Sequence, residues 1–153
     1  MPRLLSTLLD RFPLLRRHPH PMLVHFPIVF MFAPTIFNLL YLLTSVPSFE
    51  ITAFHCLGGG VLFTPLAMLT GYFTWWLNYL AKPMKAVTIK IRFSLLLMMV
   101  SVVALVWRYL DPGVLISFTA ESIFYFLLIL SLIPLVTVVG WFGATLTFPL
   151  EGK

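Results

Sequence analysis

The stretch "LVHFPIVFMFAPTIFNLLYLLTS", residues 23–45, decides the fold. It carries no Asp, Glu, Lys or Arg, and its length matches the ~20 residues that a helix needs to cross ~30 Å of hydrocarbon. Three further stretches read the same way: residues 51–72, 93–110 and 122–146. The 153-residue chain is 60% hydrophobic and only 10% charged, with a mean hydropathy of +1.01, outside the range of soluble domains. An ionised side chain at mid-bilayer costs several kcal/mol, and the charges accordingly fall between the apolar stretches. The expectation is an all-α integral membrane protein whose 153 residues form one membrane domain.

The short links "VPSFE" (residues 46–50) and "DPGV" (111–114) permit only antiparallel neighbours, which predicts an up-down four-helix bundle. Residues 1–15, "MPRLLSTLLDRFPLL", space Leu4, Leu5, Leu8, Leu9 and Phe12 as one helical face, and predict an N-terminal interfacial amphipathic helix. Pro13 should end it. The "HPHP" that follows (residues 18–21) reads as non-helical, because a residue before proline is pushed towards extended backbone. Span one should then begin near Met22. Pro34, Pro65 and Pro134 predict kinks in spans one, two and four. The glycines of "GGG" (58–60) and "GWFGA" (140–144) predict close helix approach.

Topology follows from the cations. Nine of the ten Lys and Arg precede span one, lie between spans two and three, or end the chain; Arg108 alone lies on the other side. Both termini are therefore expected in the cytoplasm, in a multi-pass protein of a bacterial inner membrane. The first apolar run is too long for a cleaved leader and is expected to stay. The net charge of +5 reads as topology and lipid contact, not nucleic-acid binding. Trp75, Trp76, Tyr79 and Trp141 read as one interfacial belt, Trp107 and Tyr109 as the other. Arg108 and Asp111, three residues apart, read as an interfacial pair. The single cysteine, Cys56, excludes an internal disulfide and a Cys-only metal site within one chain.

"HPHPMLVHFPI" (residues 18–28), "TGYFTWW" (70–76) and "GWFGATL" (140–146) together resemble the small membrane proteins of the DUF2231 family. In that family the middle motif usually carries an Asp where Thr74 stands here. Span three usually opens with a histidine, at Lys90 or a neighbour. The tail usually carries an acid and a further histidine, where this chain has Thr145 and Phe148-Pro149. Family members fused to Rieske iron–sulfur domains imply a respiratory redox setting.

The candidate cofactor residues are His18, His20, His25, His55, Lys90 and Arg92. A b-type haem needs an imidazole on iron, usually one from each of two facing helices. His25 and His55 belong to opposite ends of their spans, ~20 Å or more apart at 1.5 Å per residue, and cannot share one iron. Haem ligation would therefore pair His25 with His18 or His20, or use separate sites completed by another chain. Lys90 and Arg92 suit a haem propionate, a quinone headgroup or a lipid phosphate. Trp75 and Trp76 suit the lipid boundary better than cofactor stacking. No Ser–His–Asp pattern, carboxylate pair or phosphate loop is present, so no catalytic activity of its own is expected. Two functions lead: a membrane electron-transfer subunit, binding b-type haem or lining a quinone site within a larger complex, or a cofactor-free accessory subunit; a transporter or channel comes third, since charged residues are absent at mid-depth. Expected partners are the lipid bilayer and other membrane subunits, a second copy among them.

Overall fold

The computed structural model describes residue 11 and residues 19–147. The expected interfacial helix over residues 1–15, His18 and the tail from Phe148 lie outside the described residues. Four helices follow in order: α1 (Pro19–Thr44), α2 (Pro47–Asn78), α3 (Lys85–Leu110) and α4 (Ala120–Thr147). Each is long and apolar enough to cross a membrane. The helices α1 and α2 pack as one close hairpin, α3 and α4 as another, and α2–α3 and α1–α4 contacts close the ring. The expected four-helix bundle is borne out.

The helix starts differ from the sequence reading in three places. Residues 19–21 belong to α1, so most of the "HPHP" segment is helical after all. In the first turn of a helix the amide of proline has no intrahelical acceptor to lose, and its fixed φ suits helix entry. The "VPSFE" link shrinks to Ser45 and Val46, because Val46 is the extended N-cap (φ −86°, ψ 112°) and Pro47 opens α2. Ser45 turns the chain at φ 56°. Between spans two and three the helices extend to Asn78 and from Lys85. Lys85, Lys90 and Arg92 therefore lie on α3 and not in a loop. The link of residues 79–84 turns through Leu80 and Ala81, both at positive φ.

The α3–α4 link spans residues 111–119 and is longer than "DPGV"; it folds inwards, burying Val114 and Leu115. A reciprocal cap launches α4: the Ser122 amide donates to Thr119 Oγ1 at 3.2 Å and the Thr119 amide to Ser122 Oγ at 2.9 Å. That pair satisfies two amides that the helix start leaves open.

The core runs through Met31, Leu57, Leu97, Ala104, Ile129, Leu132 and Val136. In lipid, apolar burial does not drive helices together, so close packing and polar links must. Gly59 and Gly60 supply the first: a Cβ on them would stand 3.2 Å from the Phe30 ring and 2.8 Å from Met31 Cε. Phe63 stacks on Phe26 at 4.8 Å beside them. Gly140, in contrast, faces open space, so only part of the glycine expectation holds. Pro27, Pro34, Pro65 and Pro134 all sit inside unbroken helices, which bilayer helices tolerate when neighbours serve the freed carbonyls.

Candidate functional site

The two ends of the bundle each hold a polar cluster. At the end where α1 begins and α4 ends, His20 enters the bundle from the first turn of α1. Its Nδ1 lies 3.1 Å from Thr70 Oγ1 of α2, and its Nε2 lies 3.1 Å from Lys90 Nζ of α3. With Lys90 donating, Nε2 must accept, so the ring proton sits on Nδ1 and is donated to Thr70. Thr70 passes its own proton to the Leu66 and Ala67 carbonyls, at 3.0 and 3.1 Å. The chain of donors is thus directional, and it fixes the tautomer of His20.

Two glycines shape the space around this chain. A Cβ at Gly71 would stand 2.8 Å from His20 Cε1, so only glycine admits the ring in its present place. Gly143 of α4 faces Lys90, with Nζ 3.5 Å from where its Cβ would be. All four helices therefore meet at His20 and Lys90. The three sequence motifs, remote from one another along the chain, supply His20, Thr70, Gly71 and Gly143 to one place. Lys90 is half-buried, and among the described residues no carboxylate pairs with it. An ammonium in such surroundings without a counter-charge favours a negative or strongly accepting oxygen as neighbour.

The other candidate residues are not brought into this cluster. His25 and Arg92 are exposed on the outer faces of α1 and α3. His55 is exposed on α2, near the far end, and its Nδ1 lies 2.8 Å from the Ile51 carbonyl of its own helix. Among the described residues, no group of three or more His, Cys, Asp or Glu is placed to hold a metal ion. Thr74, where the family usually has Asp, donates to the Thr70 carbonyl at 2.8 Å. Close by, the Tyr79 hydroxyl donates to the Leu146 carbonyl at 3.0 Å, tying the end of α2 to α4.

The far end corrects the sequence reading of Arg108. Its guanidinium meets Glu50 of α2, not Asp111, with Nε to Oε1 as one contact and Nη2 to Oε2 at 2.6 Å as the other. Asp111 instead accepts from the Gly113 amide at 3.0 Å. The pairing follows from the extra turn that Pro47 adds to α2, which places Glu50 inside the helix and against α3. Both side chains are only 11% exposed, and Arg108 also lies over the Phe54 ring, 5.4 Å from its centroid. Twenty positions of α2 separate Glu50 from Thr70, about 30 Å at 1.5 Å per residue. That separation is close to the thickness of a bilayer's hydrocarbon layer.

The match that decides the family covers nearly the whole chain: the model for "Predicted membrane protein (DUF2231)" fits residues 17–151. This chain belongs to the DUF2231 family. No curated protein and no solved structure matches it. Family membership and four apolar helices together make it a multi-pass membrane protein lying in a lipid bilayer. Within this DUF2231 chain, the match includes every residue of both polar clusters.

The sequence places both His20 and His25 among the candidate cofactor residues, yet only His20 turns into the bundle. The opposite placement results from helix phase: five residues turn the helix by about 500°, or 140° net, so two such positions cannot share one face. The signal that could have found the site was the motif glycine Gly71, needed where the His20 ring from another helix packs against α2.

Proposed function

We propose that this protein is a membrane electron-transfer subunit whose terminal end lines the headgroup site of a membrane quinone. The observation that carries this reading is the Lys90–His20 contact at 3.1 Å, at the end of the bundle where α1 begins and with no carboxylate partner for Lys90 among the described residues. An ammonium carries three donors, of which His20 takes one. A quinone supplies a carbonyl oxygen that gains negative charge on reduction, and a fixed ammonium favours that change. His20 and Thr70 hold Lys90 in place through hydrogen bonds. The redox setting is carried over from the family resemblance, and the cytoplasmic placement of this end from the Lys and Arg distribution.

A b-type haem fits less well. His25 and His55 lie on outer faces at opposite ends, so iron on either would find no second histidine of this chain beside it among the described residues. The accessory-subunit reading has its own support: the Glu50–Arg108 pair is satisfied within the protein and ties α2 to α3.

The test uses purified protein in nanodiscs, titrated with a short-chain ubiquinone analogue and followed by quenching of tryptophan fluorescence. Saturable quenching is expected. Lys90→Met should weaken it by about tenfold or more, the scale of one hydrogen bond to a charged group. Equal, non-saturating quenching in both proteins overturns the quinone reading and leaves the accessory role. A haem band in reduced-minus-oxidised spectra would replace it with the haem form.

A further inference from the structure

The link between α2 and α3 shapes a cavity that the proposed function does not use. It has a volume of about 180 Å³, is partly open, and is lined by Asn78, Tyr79, Leu80, Lys82 and Met84. Hydrogen bonds fix the link around it. The Tyr79 and Ala81 amides both donate to the Trp75 carbonyl, at 3.1 and 3.4 Å, and the Lys82 amide donates to the Tyr79 carbonyl at 3.0 Å. The Trp75 indole donates to the Lys82 carbonyl at 2.9 Å. Leu80 and Ala81 are held at φ 51° and 54°, a conformation that residues with a Cβ seldom adopt. These bonds therefore set the shape of the cavity.

The charge around the cavity has one sign. Lys82 is exposed, and among the described residues no carboxylate pairs with it. Between Glu50 and Asp111 the chain has no Asp or Glu, whereas residues 82–92 include Lys82, Lys85, Lys90 and Arg92. Apolar and aromatic side chains stand beside these cations. Leu80 lines the cavity yet is 76% exposed, and Tyr72 and Trp76 are exposed on the last turns of α2, as suits the edge of a bilayer.

We propose that this cavity seats the headgroup of an anionic phospholipid, with Lys82 contacting the phosphate. The lining selects an amphiphile. A phosphodiester supplies the negative oxygens that an ammonium without a counter-charge favours, while Leu80 and Met84 meet the glycerol and the first methylenes of the acyl chains. Free phosphate has no use for those two side chains. The run of cations also repels the ammonium that a zwitterionic headgroup carries beside its phosphate.

None of the five lining residues belongs to the His20–Thr70–Lys90 cluster, so the test needs no quinone and does not depend on that reading. The purified full chain in neutral detergent is titrated with phosphatidylglycerol or phosphatidylcholine and read by native mass spectrometry. Saturable uptake of phosphatidylglycerol is expected, preferred over phosphatidylcholine. Lys82→Gln should weaken it about fivefold, the effect of one lysine at an anionic surface. Arg92→Gln removes the same charge outside the cavity and should leave the affinity unchanged. Equal losses in the two variants overturn the site and leave only general attraction to a basic surface. So does equal uptake of the two lipids. Displacement of phosphatidylglycerol by inorganic phosphate at constant ionic strength also overturns it, because a plain anion site would then suffice.

Discussion

Replacing Arg108 by alanine is expected to destabilise the bundle more than any other single polar truncation described above, by about 3–5 kcal/mol. The cost arises less from the attraction that is lost than from the charge left behind. Glu50 would keep its position in the first turn of α2, 11% exposed, with neither oxygen served. Asp111 cannot replace the lost cation, and the nearby Tyr125 hydroxyl can offer only one donor. Removing both charges avoids that penalty, so Glu50→Leu/Arg108→Leu should recover most of the loss. Unfolding of the purified variants by SDS titration from mixed micelles measures the difference. A loss below about 1 kcal/mol for Arg108→Ala would mean that the pair behaves as an exposed one.

Gly71→Val should dismantle the terminal cluster while leaving the ion pair intact. The new Cβ would lie within 2.8 Å of His20 Cε1, and its two methyl groups would fill the remaining space. The imidazole is pinned on both sides by Thr70 and Lys90, so it can move only by breaking those hydrogen bonds. Overpacking of this kind costs about 1–3 kcal/mol. The functional effect should be larger: quinone affinity should fall as far as in Lys90→Met, and the 15N shifts of the His20 ring should lose the signature of a fixed Nδ1–H tautomer. Gly140→Val is the control, since it adds the same bulk where nothing lies within 4 Å. Similar losses from both substitutions would trace the effect to helix propensity and not to the His20 contact.

The sequence was legible wherever the bilayer dictates the answer. Hydrocarbon tolerates neither charge nor open backbone groups, so composition alone placed four helices, their antiparallel order and the segregation of Lys and Arg. The limits of the helices were less legible. Pro19, Pro21 and Pro47 read as breaks, yet each stands in a first turn, where a missing N–H costs nothing. That shift of one turn put Glu50 on α2 and turned it towards α3, and the start of α3 at Lys85, more than two turns before the apolar stretch, put Lys90 on a helix.

The partners within the bundle were decided only by tertiary structure. Arg108 had an acid three residues away in sequence and chose one from another helix, since a buried bidentate contact outweighs a solvated local one. His25 and His20 differ by five positions, and helix phase alone sends one outwards and the other into the bundle. Asn38 and Tyr125 were unremarkable polar residues in apolar spans until packing buried them together. The sequence by itself determined a four-span membrane protein of the DUF2231 family, because the solvent imposes that pattern on any chain that crosses it. Which polar side chains meet at each boundary was decided by the tertiary structure, because helix rotation and depth are set by packing between helices and leave no periodic trace along one of them.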